Sequence, residues 1–489
     1  MSGFSSPRSL PKKPEQPVNV HSQPDTIAAI STPPGRGGIG IVRLAGPQAI
    51  AIAGELVRLT EPLEHARARF ARVLDPRQGN DSRVTSIDEA VVTAFRAPKS
   101  YTGDDVVEIA AHGSPIVLET ILSAALAKGA RLAEPGEFTR RAFLAGRLDL
   151  TQAEAVGDLI AAQTLEQARA AAQQLGGALS RQVAPAKEQL LHLIALLEAG
   201  MDFASGELDD VDLVPPTQIS TEVHAVQRSL SELARSFRAG SLLRSGVSLA
   251  LVGRPNAGKS SLFNRLLERP RAIVTPIPGT TRDTVEESWS LEGIPVRLVD
   301  TAGLRLSGEA PADEAERQGI ERSREALADA DLVLLIHDAT VPLTTDEIHL
   351  AASLEGRPHL LVRNKIDLPD ASASLASENF AHTTKPMLLG VSALTGEGIS
   401  ALQTAILTAL NAGGGPAETG ALNNRRQHES VLSALAALEA AAEANQAGLP
   451  HEMLLLDLHT ALRALDSLTG QTTADDILAR IFSTFCIGK

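Results

Sequence analysis

A chain of 489 residues that is 43% apolar and 21% charged, with a single cysteine and a net charge of −14, is globular in composition and divides into about three domains. One thiol excludes an internal disulfide, and the acidic balance disfavours broad, nonspecific attraction to nucleic acid. No apolar run reaches the ~20 residues that span a bilayer, so no membrane is expected as a partner and the expected location is cytoplasmic.

Residues 1–24 carry Arg8, Lys12 and Lys13 against one acid, Glu15, which suits an organelle transit peptide. Their five prolines oppose the amphipathic helix such a peptide forms. A disordered tail is the expectation and a targeting segment its alternative. From 25 to 147, short β-branched runs such as Thr26–Ile30 and Glu89–Phe95 alternate with Gly/Pro-rich turns, which predicts an α+β domain. Residues 148–240 are expected to be the first part of a helical domain, since alanine and leucine dominate Asp149–Phe203 with apolar residues at helical spacing, as in Leu190, Leu193, Ile194 and Leu197. Strand-like runs return at Val247–Val252, Val296–Val299, Leu332–Ile336 and Leu360–Val362, between helical stretches, the pattern of a parallel sheet wrapped in helices over 241–412. Residues 413–489 are helix-like again. The fold class is therefore multidomain α/β, with the sheet domain inserted into a helical bundle built from both flanks.

Gly253-Arg-Pro-Asn-Ala-Gly-Lys-Ser260 follows one predicted strand and opens the helix-like Ser261–Leu267, as a phosphate-binding P-loop requires. Its N–H groups, from Asn256, Ala257 and Gly258 through Ser261, suit a nucleotide β-phosphate, Lys259 supplies charge, and the Ser260 hydroxyl suits Mg²⁺. Asp300-Thr301-Ala302-Gly303 ends a second strand, at the sheet edge where open α/β folds bind ligands. Asp300 suits a water-mediated Mg²⁺ contact and Gly303 a γ-phosphate contact. Asn364-Lys365-Ile366-Asp367 decides the base. Guanine offers a carboxylate two adjacent N–H donors where adenine offers none, and a site built on such a bond rejects the wrong base strongly. Ser392, Ala393 and Leu394, after the strand-like Met387–Val391, suit the guanine oxygen through a backbone N–H. The substrate expected is GTP.

The breaker-rich Thr275-Pro276-Ile277-Pro278-Gly279-Thr280-Thr281-Arg282 can close over a γ-phosphate, with Thr281 reaching Mg²⁺. Arg282 reads either as an arginine finger or as a solvated side chain. Where many small GTPases place a water-orienting glutamine, this chain has Leu304, which cannot orient water. The acid-rich Glu314–Glu325 is a source of that polar group, or else a solvated helix. Two other patterns mislead. Gly35–Gly40 fits a dinucleotide fingerprint but leads into a strand-like run, and Cys486–Lys489 fits a prenylation box poorly.

These five elements, read with Thr32-Pro-Pro-Gly-Arg-Gly-Gly-Ile-Gly40 and Phe485-Cys-Ile-Gly-Lys489, closely resemble the tRNA modification GTPases called MnmE or TrmE, from residue 25 to the last. The resemblance implies a homodimer with a folate-binding and dimerisation domain at 25–147. It also implies an FAD-containing partner of the MnmG or GidA type, in a heterotetramer or larger complex that acts on tRNA. Together they would add an aminomethyl-type group, carboxymethylaminomethyl, to carbon five of the wobble uridine, using a 5-formyl- or methylene-tetrahydrofolate. Hydrolysis would be stimulated by K⁺ held by Asn256, Thr275, Ile277 and Thr280, a charge placed as an arginine finger's would be. The family's water-orienting glutamate aligns with Glu316, and its folate positions with Arg43, Glu108, Arg147 and Lys489. Cys486 reads as an inert buried residue or as a functional thiol near folate or tRNA. The competing function is a ribosome-assembly or signalling GTPase acting as a binding switch. It commonly carries a basic RNA-binding module, and none is evident here.

Overall fold

A computed structural model describes residues 25–76, 86–204, 214–267, 286–300, 329–354, 356–369, 371, 388–410, 420–472 and 475–488. The chain forms two compact units, Met1–Ala153 with Thr473–Lys489, and Glu154–Thr472. No helix among the described residues is long and apolar enough to cross a membrane.

The first unit is built on a seven-stranded sheet of order β3-β4-β5-β6-β2-β1-β7. Its strands are β1 (Ile27–Ile30), β2 (Gly37–Ala45), β3 (Val57–Leu59), β4 (Ala68–Leu74), β5 (Ser86–Phe95), β6 (Val106–Gly113) and β7 (Arg131–Leu132). Neighbours run antiparallel except β1 and β7. Successive side chains of a strand face opposite sides, and both sides are used. Ala28, Val42 and Leu44 pack with helices α1 (Ala49–Leu56) and α2 (Pro115–Ala127). Ile27, Ala29 and Ala45 pack with Phe138 of α3 (Glu137–Leu144). The glycines of the dinucleotide-like stretch enter strand β2, so no helix follows them and no dinucleotide fold exists there.

Helix α4 (Leu150–Ala161) begins in the first unit, and the second unit continues with α5 (Leu165–Leu175), α6 (Ala178–Ala204) and α7 (Pro216–Ser245). After the sheet domain the chain returns through α11 (Arg425–Gln446) and α12 (His451–Thr469). Each long helix buries one apolar stripe. Val183, Leu190 and Leu197 of α6, Val223, Leu230 and Leu233 of α7, Val431 and Leu438 of α11, and Leu458 and Leu465 of α12 form one core.

Gly246 alone separates α7 from β8 (Val247–Gly253). The sheet that β8 centres has order β13-β12-β11-β8-β10-β9, with β9 (Glu286–Leu291), β10 (Ile294–Asp300), β11 (Leu332–Asp338), β12 (His359–Asn364) and β13 (Leu388–Gly390). All pairs are parallel except β9 with β10. All seven residues of β8 are buried, because helices cover both faces and a continuous apolar strand is then favoured. Val247, Leu249 and Leu251 face α8 (Lys259–Leu267) and α10 (Ile399–Ala409). Ala250 and Val252 lie with Leu350 and Leu354, at the end of α9 (Thr345–Ser353). The last helix, α13 (Asp475–Ser483), packs Leu478 and Phe482 on Leu150 and Ala153 within the first unit.

Candidate functional site

The C-terminal ends of β8, β10, β11, β12 and β13 form one edge of the second sheet. At the end of β8, Arg254, Pro255 and Asn256 emerge to solvent before Ala257 turns inward. Asn256 has φ +63°, the left-handed region that asparagine tolerates better than most residues. Lys259 Nζ donates to the carbonyls of Gly253 at 2.8 Å and Arg254 at 3.0 Å, so the ammonium lies across the loop. Ser260 and Ser261 are exposed in the first turn of α8.

One buried amide ties this edge together. Asn364, 1% exposed, donates through Nδ2 to the carbonyls of Ala257 at 3.0 Å and Gly258 at 3.4 Å. Its Oδ1 accepts from the Ala393 N–H at 3.0 Å. Gly258 has φ +89°, and a Cβ there would lie 2.1 Å from Asn364 Nδ2, so glycine permits the approach. Asp367 is half-buried two residues beyond Lys365, and the Ile366 N–H meets the Val391 carbonyl at 3.3 Å. Asp300 ends β10 in register with Leu251 of β8, at the same edge.

The turn after β13 differs in one respect from what its sequence suggests. The Ser392 N–H donates to the Glu397 carbonyl at 2.9 Å and the Ala393 N–H to Asn364. Both amides of the pair are engaged inside the protein, so a guanine oxygen at Ala393 has to share or replace the Asn364 bond. Leu394 follows, 76% exposed. Arg265 of α8 grips the carbonyl of Ala393 through Nε at 2.8 Å and that of Leu394 through Nη2. Arg265 and Asp338, which pairs with Lys365, were not legible as site residues, because each contact joins segments remote in sequence.

Several expected positions lie outside the described residues: Thr275, Pro276, Ile277, Pro278, Gly279, Thr280, Thr281 and Arg282 of the breaker-rich loop; Thr301, Ala302, Gly303 and Leu304; Glu314, Glu316 and the rest of the acid-rich run; and Lys489.

A second cluster lies in the first unit. Arg43 of β2 and Glu108 of β6 are register partners, and the guanidinium meets Glu108 Oε1 at 2.9 Å through Nε and 2.8 Å through Nη2. Arg43 Nη1 also reaches the Gly488 carbonyl at 3.3 Å, which the Ser31 hydroxyl meets at 3.0 Å. Gly488 has φ +95° and crowds the Ile30 carbonyl so closely that a Cβ would lie 2.6 Å from it. The chain end is thereby seated on the sheet beside Arg43. The guanidinium stands 5.6 Å from the centre of the Phe138 ring, within cation–π range. Tyr101 bonds Thr139 Oγ1 at 2.9 Å. Burial pushes its phenol pKa up, against the opposing effects of that bond and of the Arg43 charge. Arg147 is exposed, and its contact is to the Pro98 carbonyl at 3.4 Å rather than to Arg43 or Glu108. Cys486 is exposed, not buried as one reading of this thiol expected.

A parallel sheet edge with a P-loop, an Asn-Lys-Ile-Asp element and an Asn364-braced Ser-Ala turn defines the protein as a P-loop GTPase, an enzyme that hydrolyses GTP and carries Mg²⁺ with it. Comparison with known families is specific beyond that class. Residues 26–147 match the GTP-binding protein TrmE N-terminus, and residues 150–486 match the MnmE helical domain. A tRNA modification GTPase MnmE from Koribacter versatilis is 54% identical over 469 residues, 95% of this chain and 99% of that one. Its counterpart from Chloroflexus aurantiacus is 44% identical over 469 residues, 95% of this chain and 100% of that one. Among solved structures, the G domain of T. maritima FeoB matches 33% of this chain and 98% of its own at 30% identity, with a TM-score of 0.26. The chain belongs to the MnmE family of tRNA modification GTPases.

Proposed function

We propose that the protein couples K⁺-stimulated GTP hydrolysis to attachment of an aminomethyl-type group, carboxymethylaminomethyl, at carbon five of the wobble uridine of certain tRNAs. A tetrahydrofolate derivative supplies the carbon. The protein works in the cytoplasm as a homodimer, with an FAD-containing partner of the MnmG type. Its three domains are the folate-binding domain (25–147), the helical domain (148–240 and 413–489) and the GTPase domain (241–412).

The observation that carries the nucleotide half is the Asn364 amide, which joins the phosphate loop to the turn after β13. That brace supports one nucleotide with its base at Asp367 and its phosphates at Gly253–Ser260. Lys259 exchanges its two carbonyl contacts for phosphate oxygens, and the N–H groups at the start of α8 add donors. Asp367 accepts from guanine. Ser260 and Thr281 are the hydroxyls that would hold Mg²⁺, with Asp300 acting through water. The hard oxygen donors and exposed position of Ser260 fit that ion, which when bound offsets phosphate charge. Asn256, with an exposed amide on a left-handed backbone, would hold K⁺ together with Thr275, Ile277 and Thr280. Glu316 would orient the attacking water in place of the residue that Leu304 cannot be.

The folate half is supported by Arg43. A guanidinium pinned to Glu108 and to the chain end offers charge for folate carboxylates, and Glu108 offers a carboxylate for pterin N–H groups. Lys489, adjacent to Gly488, adds a cation, whereas Arg147 has to move from Pro98 to take part. The exposed Cys486 would stand at the same chain end, near folate or tRNA. The test is mass spectrometry of wobble nucleosides from a strain lacking this protein. The modified uridine should vanish and return with the wild-type chain; an unchanged nucleoside profile would refute the assignment.

A further inference from the structure

Asp338 closes β11 outside every motif legible in the sequence, and its two carboxylate oxygens have separate tasks. Oδ1 accepts from the Thr340 N–H at 3.0 Å and the Thr340 hydroxyl at 2.7 Å, a local turn that fixes the carboxylate. Oδ2 accepts from Lys365 Nζ at 2.6 Å. The strand end that carries Asp338 is itself anchored. Its neighbour His337, 1% exposed, meets Glu347 at 3.1 Å, and Glu347 closes a capping box with Thr344 at the start of α9. The Ala339 N–H reaches the Asn364 carbonyl at 2.9 Å, drawing the ends of β11 and β12 together.

Lys365 is the group that needs such support. It has φ +67°, a left-handed backbone that a residue with a Cβ adopts at a cost, and its four-carbon stem has much rotamer freedom to lose. Burial alone would raise the Asp338 pKa, but the hydrogen bonds from Lys365 and Thr340 and the lysine charge outweigh it and hold the carboxyl below its ordinary value. Asp338 is therefore a carboxylate at neutral pH.

We propose that Asp338 is the positioning residue for Lys365. It selects the lysine rotamer beside the base-recognition residues before nucleotide arrives and neutralises an ammonium that would otherwise face the base uncompensated. Preorganising a binding side chain from a second layer lowers what the ligand must order on arrival. This inference rests on the nucleotide site proposed above and adds to it a residue that acts only through another.

The test uses the full-length protein, with GDP affinity measured by calorimetry and GTP turnover measured at saturation. The variants are Asp338→Asn, Asp338→Ala, Lys365→Ala and the double change Asp338→Ala with Lys365→Ala. Asp338→Asn keeps an oxygen for Thr340 while removing the carboxylate charge that faces Lys365, so it separates positioning from local folding. It should weaken GDP binding about three- to tenfold and raise KM for GTP by a like factor, with kcat within about twofold of wild type because the base contact is the same in ground and transition states. The double variant should bind no more weakly than Lys365→Ala alone, since the two residues act in series. Asp338 variants that bind GDP as wild type does, or losses that multiply in the double variant, overturn the proposal. A wild type that binds no guanine nucleotide overturns the nucleotide-site reading and this one with it, which sets the two failures apart.

Discussion

Asn364 and Asp367 are three positions apart and do different work. Asn364 is a buried brace with carbonyls on one side and an amide on the other, whereas Asp367 is half-buried and available to a base. Asp367→Asn should lower GTP affinity about tenfold to a hundredfold, the worth of a hydrogen bond to a charged group, and improve binding of a xanthine nucleotide, whose edge accepts from the new amide. Competition between GTP and XTP measures this, and an unchanged preference would place base recognition elsewhere. Arg43 makes a comparable case in the first unit. Its guanidinium is shared between Glu108 and the Gly488 carbonyl, so Arg43→Ala should remove most of the calorimetric heat of 5-formyltetrahydrofolate binding, expected at one site per subunit in the wild type. Binding equal to wild type would sink the folate assignment. The types of these residues were legible in the sequence. Their partners were not: Arg43 and Glu108 meet across a strand register, and Arg43 meets Gly488 only because the chain end returns to the first sheet.

Among the elements, the central strands were the most legible, because burial on both faces demands continuous apolar runs, and β8, β11 and β12 occur where those runs lie. Their ends were less so. The run Leu332–Ile336 extends as strand to Asp338, and those two added residues are the buried His337 and the carboxylate that holds Lys365. A polar residue at a strand end carries no periodicity, so its task appears only when the neighbouring strand is in place. The acid-rich run Glu314–Glu325 poses the same question outside the described residues. Glu316→Ala should leave GTP binding nearly intact while lowering kcat about 10²–10⁴-fold, as loss of a water-orienting or base group does. Turnover within a few-fold of wild type, alongside a severe loss in Glu314→Ala or Glu321→Ala, would move the role along the run. If all three are silent, the run is a solvated helix.

For the whole molecule, the K⁺ proposed at Asn256 makes the salt dependence of turnover a direct test. GTP turnover should be about tenfold or more faster in KCl than in NaCl at equal ionic strength, and Asn256→Ala should erase the difference; equal rates in both salts for the wild type would remove K⁺ from the proposal. The amino-acid sequence by itself determined the class of site and the multidomain α/β fold, because a P-loop, a base-selecting Asn-Lys-x-Asp and apolar strand runs are local patterns whose chemistry follows from residue type and spacing. Only the tertiary structure decided that the Ala393 N–H is already spent on Asn364, that Cys486 is exposed, and that Asp338 belongs to Lys365. Those facts depend on which distant segments the sheet registers and helix packing bring within hydrogen-bond reach, and no local pattern encodes a register.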